Sequence, residues 1–281
     1  MSYLNVDYVT KIYPSLDPGA KKGDEFVVFE DVHFHIEEGQ FVSMIGHSGC
    51  GKSTLLNIMA GFDAATKGGI ILDGKETSKP GLDRMVVFQN FALMPWITAY
   101  QNVALAVRQS HPTWNKAEVK EWTMKYLKMM NLEDAANRRP SMLSGGMRQR
   151  VGLARAFAAE PKILLLDEPF AQIDALTRGS IQEELLRMWE ATNSTIFMVT
   201  HDVDEAILLS DRIAMMSAGP SAKLAEIIDI DLPRPRIRAE LIDDPRYIHL
   251  RSHILKFLVS GKEHSASATV AAEPETVSTA N

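Results

Sequence analysis

One cysteine, Cys50, is all the sequence contains, so no intrachain disulfide can form and a reducing compartment is expected. Long hydrophobic runs are missing as well: nothing approaches the ~18 apolar residues that a helix needs to span a bilayer. The opening stretch Met1–Asp7 lacks the basic-then-apolar layout of a secretory signal. Basic charge is in deficit, with 30 Lys and Arg against 36 Asp and Glu and a net charge of −6. That balance argues against nucleic acid as a general partner, because such binding needs a basic stripe. Internal repeats are absent too. These absences point to a soluble, cytoplasmic chain. What is present is an ordinary globular composition, 46% hydrophobic and 23% charged, over 281 residues. That length suits one large domain or two modest ones.

The chain is organised around Gly46–Thr54, which reads Gly-His-Ser-Gly-Cys-Gly-Lys-Ser-Thr and fits the pattern G-x-x-x-x-G-K-[ST]. Backbone N–H groups can wrap a triphosphate only where no Cβ blocks the approach, hence Gly46, Gly49 and Gly51. Lys52 would reach the β- and γ-phosphates as a point charge, and the Ser53 hydroxyl would ligate Mg²⁺. The apolar run Phe41–Ile45 predicts a strand feeding the loop, and Ser53–Ala60 predicts a helix leaving it. The helix N-terminus adds free N–H donors and dipole beneath the phosphates. The whole stretch Gly46, His47, Ser48, Gly49, Cys50, Gly51, Lys52, Ser53 and Thr54 is therefore the expected nucleotide loop. Cys50 itself has two readings, a thiol activated by Lys52 and the helix N-terminus, or a small residue that fills the loop.

Elsewhere the pattern alternates. Strands are expected over 4–13, 26–36, 68–72, 84–88, 163–166, 195–200 and 212–217, with a tight turn at Asp73-Gly74. Helices are expected over 147–159, 177–189, 203–210 and 238–258. Residues 91–144 lose the strand-like runs. Val119, Trp122, Tyr126, Leu127 and Met130 fall at helical spacing there, which reads as a helical insert. Ala222–Ile230 suggests a hairpin, Pro233–Arg236 a linker, and 259–281 a disordered tail without core-forming pattern. Alternation of this kind marks an α/β layer fold.

Four candidate positions share one feature. The phosphate loop, Gln89, Asp167-Glu168 and His201 each sit just past the C-terminal end of a strand-like run, the edge where open α/β sheets bind ligands. Asp167 suits the shell of Mg²⁺ and Glu168 can polarise an attacking water, although two acids capping a strand end are also common on surfaces. Ser144-Gly145-Gly146 leads into an Arg-bearing amphipathic helix, which makes either a second anion site or a plain glycine-rich cap.

In order and spacing, the phosphate loop, Leu143-Ser-Gly-Gly-Met-Arg-Gln-Arg and Leu166-Asp-Glu-Pro resemble the ATP-binding cassette (ABC) ATPases, over roughly residues 4–258. Met147 stands where glutamine is commonest in that signature. The resemblance implies a P-loop NTPase with a RecA-like core, an antiparallel β subdomain and a helical subdomain at about 91–144. It implies ATP and Mg²⁺ as ligands, with Ser53, Gln89 and Asp167 on the metal and Gln89 also a catalytic residue that joins the metal and water to the helical subdomain. It implies Tyr13 stacking on adenine, Glu168 as catalytic base, and His201 as the switch on the γ-phosphate. It also implies a second ATPase subunit, each site joining one subunit's phosphate loop to the other's Ser144, Gly145, Gly146 and Met147. The segment Phe170-Ala-Gln-Ile-Asp174 departs from the usual Ser/Gly-Ala-Leu-Asp, and the bulkier Gln172 at the subunit seam would suit a heterodimer.

A narrower resemblance, to the importer ATPases of the nitrate, bicarbonate, cyanate, sulfonate and taurine group, rests on Pro80–Asn90, Leu93–Thr98 and Leu232–Arg236. The loop Gly46–Gly51 and the stretch Gly219–Ile227 look most like its nitrate/bicarbonate branch. This implies an integral membrane permease as direct partner, a substrate-binding protein as indirect partner, and a peripheral position on the cytoplasmic face of a bacterial inner membrane. The permease is expected on Phe91–Tyr100, whose Phe91, Leu93, Met94, Trp96, Ile97 and Tyr100 are too apolar for a solvent-facing loop. A soluble ABC protein of DNA repair or translation would need a coiled-coil insertion, a zinc hook or a second cassette, and none is present. Asn115-Lys116-Ala-Glu118 only approximates a guanine-reading Asn-Lys-x-Asp and precedes a helix rather than coming after a strand.

Overall fold

In the computed structural model, which describes residues 2–15, 21 and 24–270, the apolar runs of the sequence become the strands of two sheets. In chain order the elements are β1 (Ser2–Pro14), β2 (Glu25–Glu37), β3 (Phe41–Gly46), α1 (Lys52–Ala60), β4 (Lys67–Leu72), β5 (Lys75–Glu76), β6 (Arg84–Val87), α2 (Ala99–Ser110), α3 (Lys116–Met129), α4 (Gly145–Ala158), β7 (Ile163–Asp167), α5 (Ala175–Thr192), β8 (Thr195–Val199), α6 (Val203–Leu209), β9 (Arg212–Met216), β10 (Leu224–Asp229), α7 (Arg238–Leu241) and α8 (Pro245–Val270). The first sheet, ordered β2-β1-β4-β5, pairs antiparallel throughout. The second is ordered β10-β9-β3-β8-β7-β6 and is parallel except for the edge strand β10.

The inner strands of the second sheet read as unbroken apolar runs because both faces are covered. Period-two alternation sends Phe41, Ile45, Leu164, Leu166, Ile196 and Met198 into one core, shared with the helices α2–α6 and α8. Val42, Met44, Leu165, Phe197 and Val199 face the other, which holds α1 and the inner side of the four-stranded sheet. A parallel sheet sandwiched this way presents all its strand C-termini along one edge, and that edge carries the site.

Residues 91–144 hold α2 and α3 with two 3₁₀ turns, Glu133–Ala135 and Pro140–Met142, and no strand. Both helices open on reciprocal caps. Thr98 pairs with Gln101, and Asn115 accepts from the backbone of Ala117 and Glu118 while the Glu118 carboxylate accepts from the Asn115 N–H. Asn115-Lys116-Ala-Glu118 is thus a capping box. Residues Asp73 (φ 49°) and Gly74 (φ 70°) form the tight β4–β5 turn that the dipeptide predicts.

Two expectations need correction. The helix expected over 238–258 is interrupted, because Pro245 cannot succeed a helical residue without clash, and Asp244 accepts from the Arg246 N–H to start α8 afresh. The disordered tail expected from 259 starts no earlier than the end of α8, which is helical to Val270; residues 271–281 of that expectation lie outside the described residues.

Candidate functional site

The turn from β3 into α1 is a glycine construction. Gly49 and Gly51 adopt φ of 80° and 95°, which an L side chain resists. A Cβ on Gly51 would also stand 2.6 Å from side-chain atoms of Val28 and Phe29. A Cβ on Gly49 would meet no atom within 4 Å, so that side of the loop backbone borders open space. That space is a cavity of about 570 Å³ lined by Tyr13, Ser48–Gly49, Gly51–Thr54, Glu168 and His201. Lys52 is 7% exposed and donates to the carbonyls of Gly46 and His47 at 2.8 Å each, which holds its ammonium under the loop.

Strands β3, β7 and β8 are neighbours, so the residues at their C-terminal ends converge. Asp167 at the end of β7 accepts from the Ser53 Oγ at 2.8 Å. Burial pushes the Asp167 carboxyl up from its ordinary value, and the adjacent Glu168 adds to the shift. Glu168 itself sits at φ 45°, with its N–H donating to the Val199 carbonyl at 2.9 Å. A non-glycine residue held in that region marks a backbone over-determined by its surroundings. Its Oε2 lies 3.3 Å from His201 Nδ1. The hydroxyl and carboxylate of Ser53 and Asp167 are hard oxygen donors, and two such groups suit Mg²⁺, which fills its remaining positions with water and phosphate oxygens. Among the described residues no group of three or more His, Cys, Asp or Glu side chains could hold a metal by itself.

Tyr13 is fixed at the mouth. Its hydroxyl donates to Asp63, its ring lies 4.4 Å from the Lys11 ammonium, and its pKa is pushed up to about 12 by partial burial and then by Asp63. Phe26, directly opposite in the β1–β2 register, lines the same cavity. Sequence reasoning missed Phe26. Its signal was available only as a cross-strand neighbour of Tyr13, which needs the register.

Other positions fall elsewhere. Gln89, exposed beyond the end of β6, does not line the cavity. Ser144, Gly145, Gly146 and Met147 do not line it either. Ser144 caps α4, its hydroxyl accepting from the Met147 N–H at 3.2 Å, and Gly146 allows α4 to approach Thr177, whose Cγ2 would stand 2.6 Å from a Cβ there. Gln172 is exposed beside that cap. Cys50 is corrected: it is completely buried under Gly46, and burial raises its thiol despite Lys52 at 3.9 Å. Of its two readings the structure selects the small residue filling the loop.

A glycine-cradled lysine, a serine–aspartate pair and a glutamate–histidine pair at one parallel-sheet edge define a nucleoside-triphosphate hydrolase. The chain belongs to the ABC transporter family, whose model matches residues 29–171, and it is an ATPase of that family. Among its relatives the nitrate transport protein NasD of Klebsiella oxytoca is 52% identical over 243 residues, 86% of this chain and 93% of that protein. The nitrate import ATP-binding protein NrtD of Synechococcus elongatus is 46% identical, covering 91% of each chain. The bicarbonate transport ATP-binding protein CmpD of the same species is 47% identical over 93% of this chain and 92% of that one. A solved dimer of the ATP-binding cassette MJ0796, in a post-hydrolysis state bound to ADP and Pi, matches with a TM-score of 0.69 at 32% identity, over 82% of this chain and all of that one.

Proposed function

We propose that this chain is the ATP-hydrolysing subunit of a bacterial importer for a small anion, nitrate before bicarbonate. The observation that carries the hydrolytic half is the Glu168–His201 pair, 3.3 Å apart at the wall of the phosphate-loop cavity. Nitrate is favoured by the 52% identity to NasD over most of both chains.

In this reading the N–H groups of Gly49–Thr54 and the Lys52 ammonium hold the β- and γ-phosphates. Ser53 and Asp167, with Gln89 as the further expected ligand, would hold Mg²⁺, which would supply neutralisation of phosphate charge when bound. Glu168 accepts the proton of the attacking water, and His201 orients beside the terminal phosphate. Tyr13 presents its ring to the adenine, a contact of roughly 1–3 kcal/mol by analogy with base stacking. Ser144 and the free N–H groups at the start of α4 complete the site of a second ATPase subunit, since within their own subunit they do not reach the cavity.

Among the described residues no helix is long and apolar enough to cross a membrane. In this reading the transport path belongs to a separate permease. The receiving surface is Phe91–Tyr100. Phe91 is buried, while Trp96 is 68% exposed, and Asn102 pins the intervening backbone through both Met94 backbone groups and the Thr98 carbonyl. The assembly sits on the cytoplasmic face of the inner membrane and meets a substrate-binding protein only through the permease.

The test is uptake in cells lacking this chain. Loss of labelled nitrate uptake with bicarbonate uptake intact, restored by the wild-type gene and not by Lys52→Ala, is the expected result. Loss of bicarbonate uptake alone would reassign the solute, and restoration by Lys52→Ala would refute the hydrolytic role.

A further inference from the structure

Behind His201 lies a buried carboxyl with no part in phosphate binding, metal binding or water activation. Glu205 is 4% exposed in the first turn of α6. Its Oε2 accepts from the Thr200 hydroxyl at 2.8 Å and its Oε1 from the Gln182 amide at 3.1 Å. The same Thr200 hydroxyl accepts from the Asp202 N–H at 3.1 Å, so one bonded ring spans both sides of His201. Asp202 closes the ring, taking the Glu205 N–H at 3.0 Å.

Two arms leave this ring. Arg178, in the first turn of α5, places Nη1 3.6 Å from Asp202 and 3.8 Å from Glu205, while its Nη2 donates to the Ile173 carbonyl at 3.1 Å. Ile173 belongs to the loop between Glu168 and the α5 cap, Asp174. The other arm runs from Gln182, whose amide oxygen accepts from Arg238 on α7. His201 has a side chain that is 66% exposed, so its own packing does little to fix it.

We infer that Glu205 is a positioning residue for His201, the carboxyl that locks Thr200–Asp202 into one geometry and ties it through Arg178 to the loop after Glu168. This rests on the reading that His201 serves hydrolysis. Displacing a catalytic group by about 1 Å can lower rate by ~10²-fold with binding little changed. A carboxyl and a carboxamide have the same shape, and the amide oxygen and nitrogen of glutamine can accept from Gln182 and donate to Thr200.

The experiment is a double-mutant cycle in single-turnover ATP hydrolysis by the full chain, with nucleotide affinity measured separately. Glu205→Ala should lower the hydrolysis rate by about 10–100-fold with affinity for ATP within about twofold, and Glu205→Gln should restore most of the rate. In a His201→Ala background Glu205→Ala should have less than about a twofold effect, because the group it positions is gone. Thr200→Val, which keeps the shape and removes the bond, should behave the same way and serves if Glu205→Ala fails to fold. Equal losses in both backgrounds, or losses that track ATP affinity, would overturn the inference while leaving His201 in its role. A His201→Ala variant with unchanged rate would remove both.

Discussion

Glu168 occupies a backbone conformation at φ 45° that glutamate adopts reluctantly, and the strand edge around it holds it there. Glutamine should fit the same space. Glu168→Gln is therefore expected to keep ATP binding and lose about 10²–10⁴-fold in turnover, read as phosphate release against nucleotide affinity, since a positioned base contributes that much. If a second, different ATPase subunit is present its own site must be counted apart. Cys50 is expected to resist maleimide in the native chain with or without ATP, and to label only on unfolding, because burial both covers the sulfur and disfavours thiolate. ATP-sensitive labelling of the folded chain would restore the activated-thiol reading. These two positions show where sequence stops. The motif places Cys50 among glycines beside a lysine, but only the packed loop reveals that its sulfur is completely buried, so close to Gly46 that a Cβ there would stand 2.9 Å from it.

At the scale of elements, sequence patterning carried far. The strands of the six-stranded sheet were legible because burial on both faces leaves unbroken apolar runs such as Ile163–Leu166. The sheet edge that lines the cavity was legible because a polar residue ending each run announces the strand's C-terminus. The β1–β2 pairing was not, since its register contains irregularities that only the paired strands fix, and with it went Phe26. The break between α7 and α8 was overridden by helical periodicity running past Pro245. Trp96 supplies a prediction at this scale: Trp96→Ala should leave ATP binding intact and weaken permease association or uncouple hydrolysis from uptake. Crosslinks from position 96 that stay wholly within the ATPase would reject the surface. Helix α6 supplies another. Burial first, then Asp202, raises the Glu205 carboxyl from 4.5 to about 7 against the opposing Thr200, Arg178 and His201. Between those values the native state holds a proton that the unfolded chain has released. The stability this contributes is complete below pH 4.5 and lost as pH rises through about 7. Thermal unfolding should accordingly show the wild type losing on the order of 2–3 kcal/mol relative to Glu205→Gln between about pH 4.5 and pH 8. Parallel pH profiles for the two chains would argue against a protonated Glu205.

For the molecule as a whole, the signature residues Ser144–Met147 do not line the cavity formed by their own phosphate loop. On the proposed function, each chain would carry two unmatched halves of a catalytic centre. On that proposal, in solution without a permease, two chains would have to meet before either could turn over. At low protein concentration the hydrolysis rate should rise with the square of that concentration and become proportional to it once pairing saturates. Specific activity measured across a dilution series checks this directly, and a value independent of dilution would mean a single chain suffices. In the membrane the same arithmetic changes sign of purpose. A permease that holds two ATPases side by side supplies them to each other at a fixed effective concentration. Hydrolysis in the cell would then be governed by how far apart the transporter keeps its pair, and a free subunit adrift in the cytoplasm would waste almost no ATP.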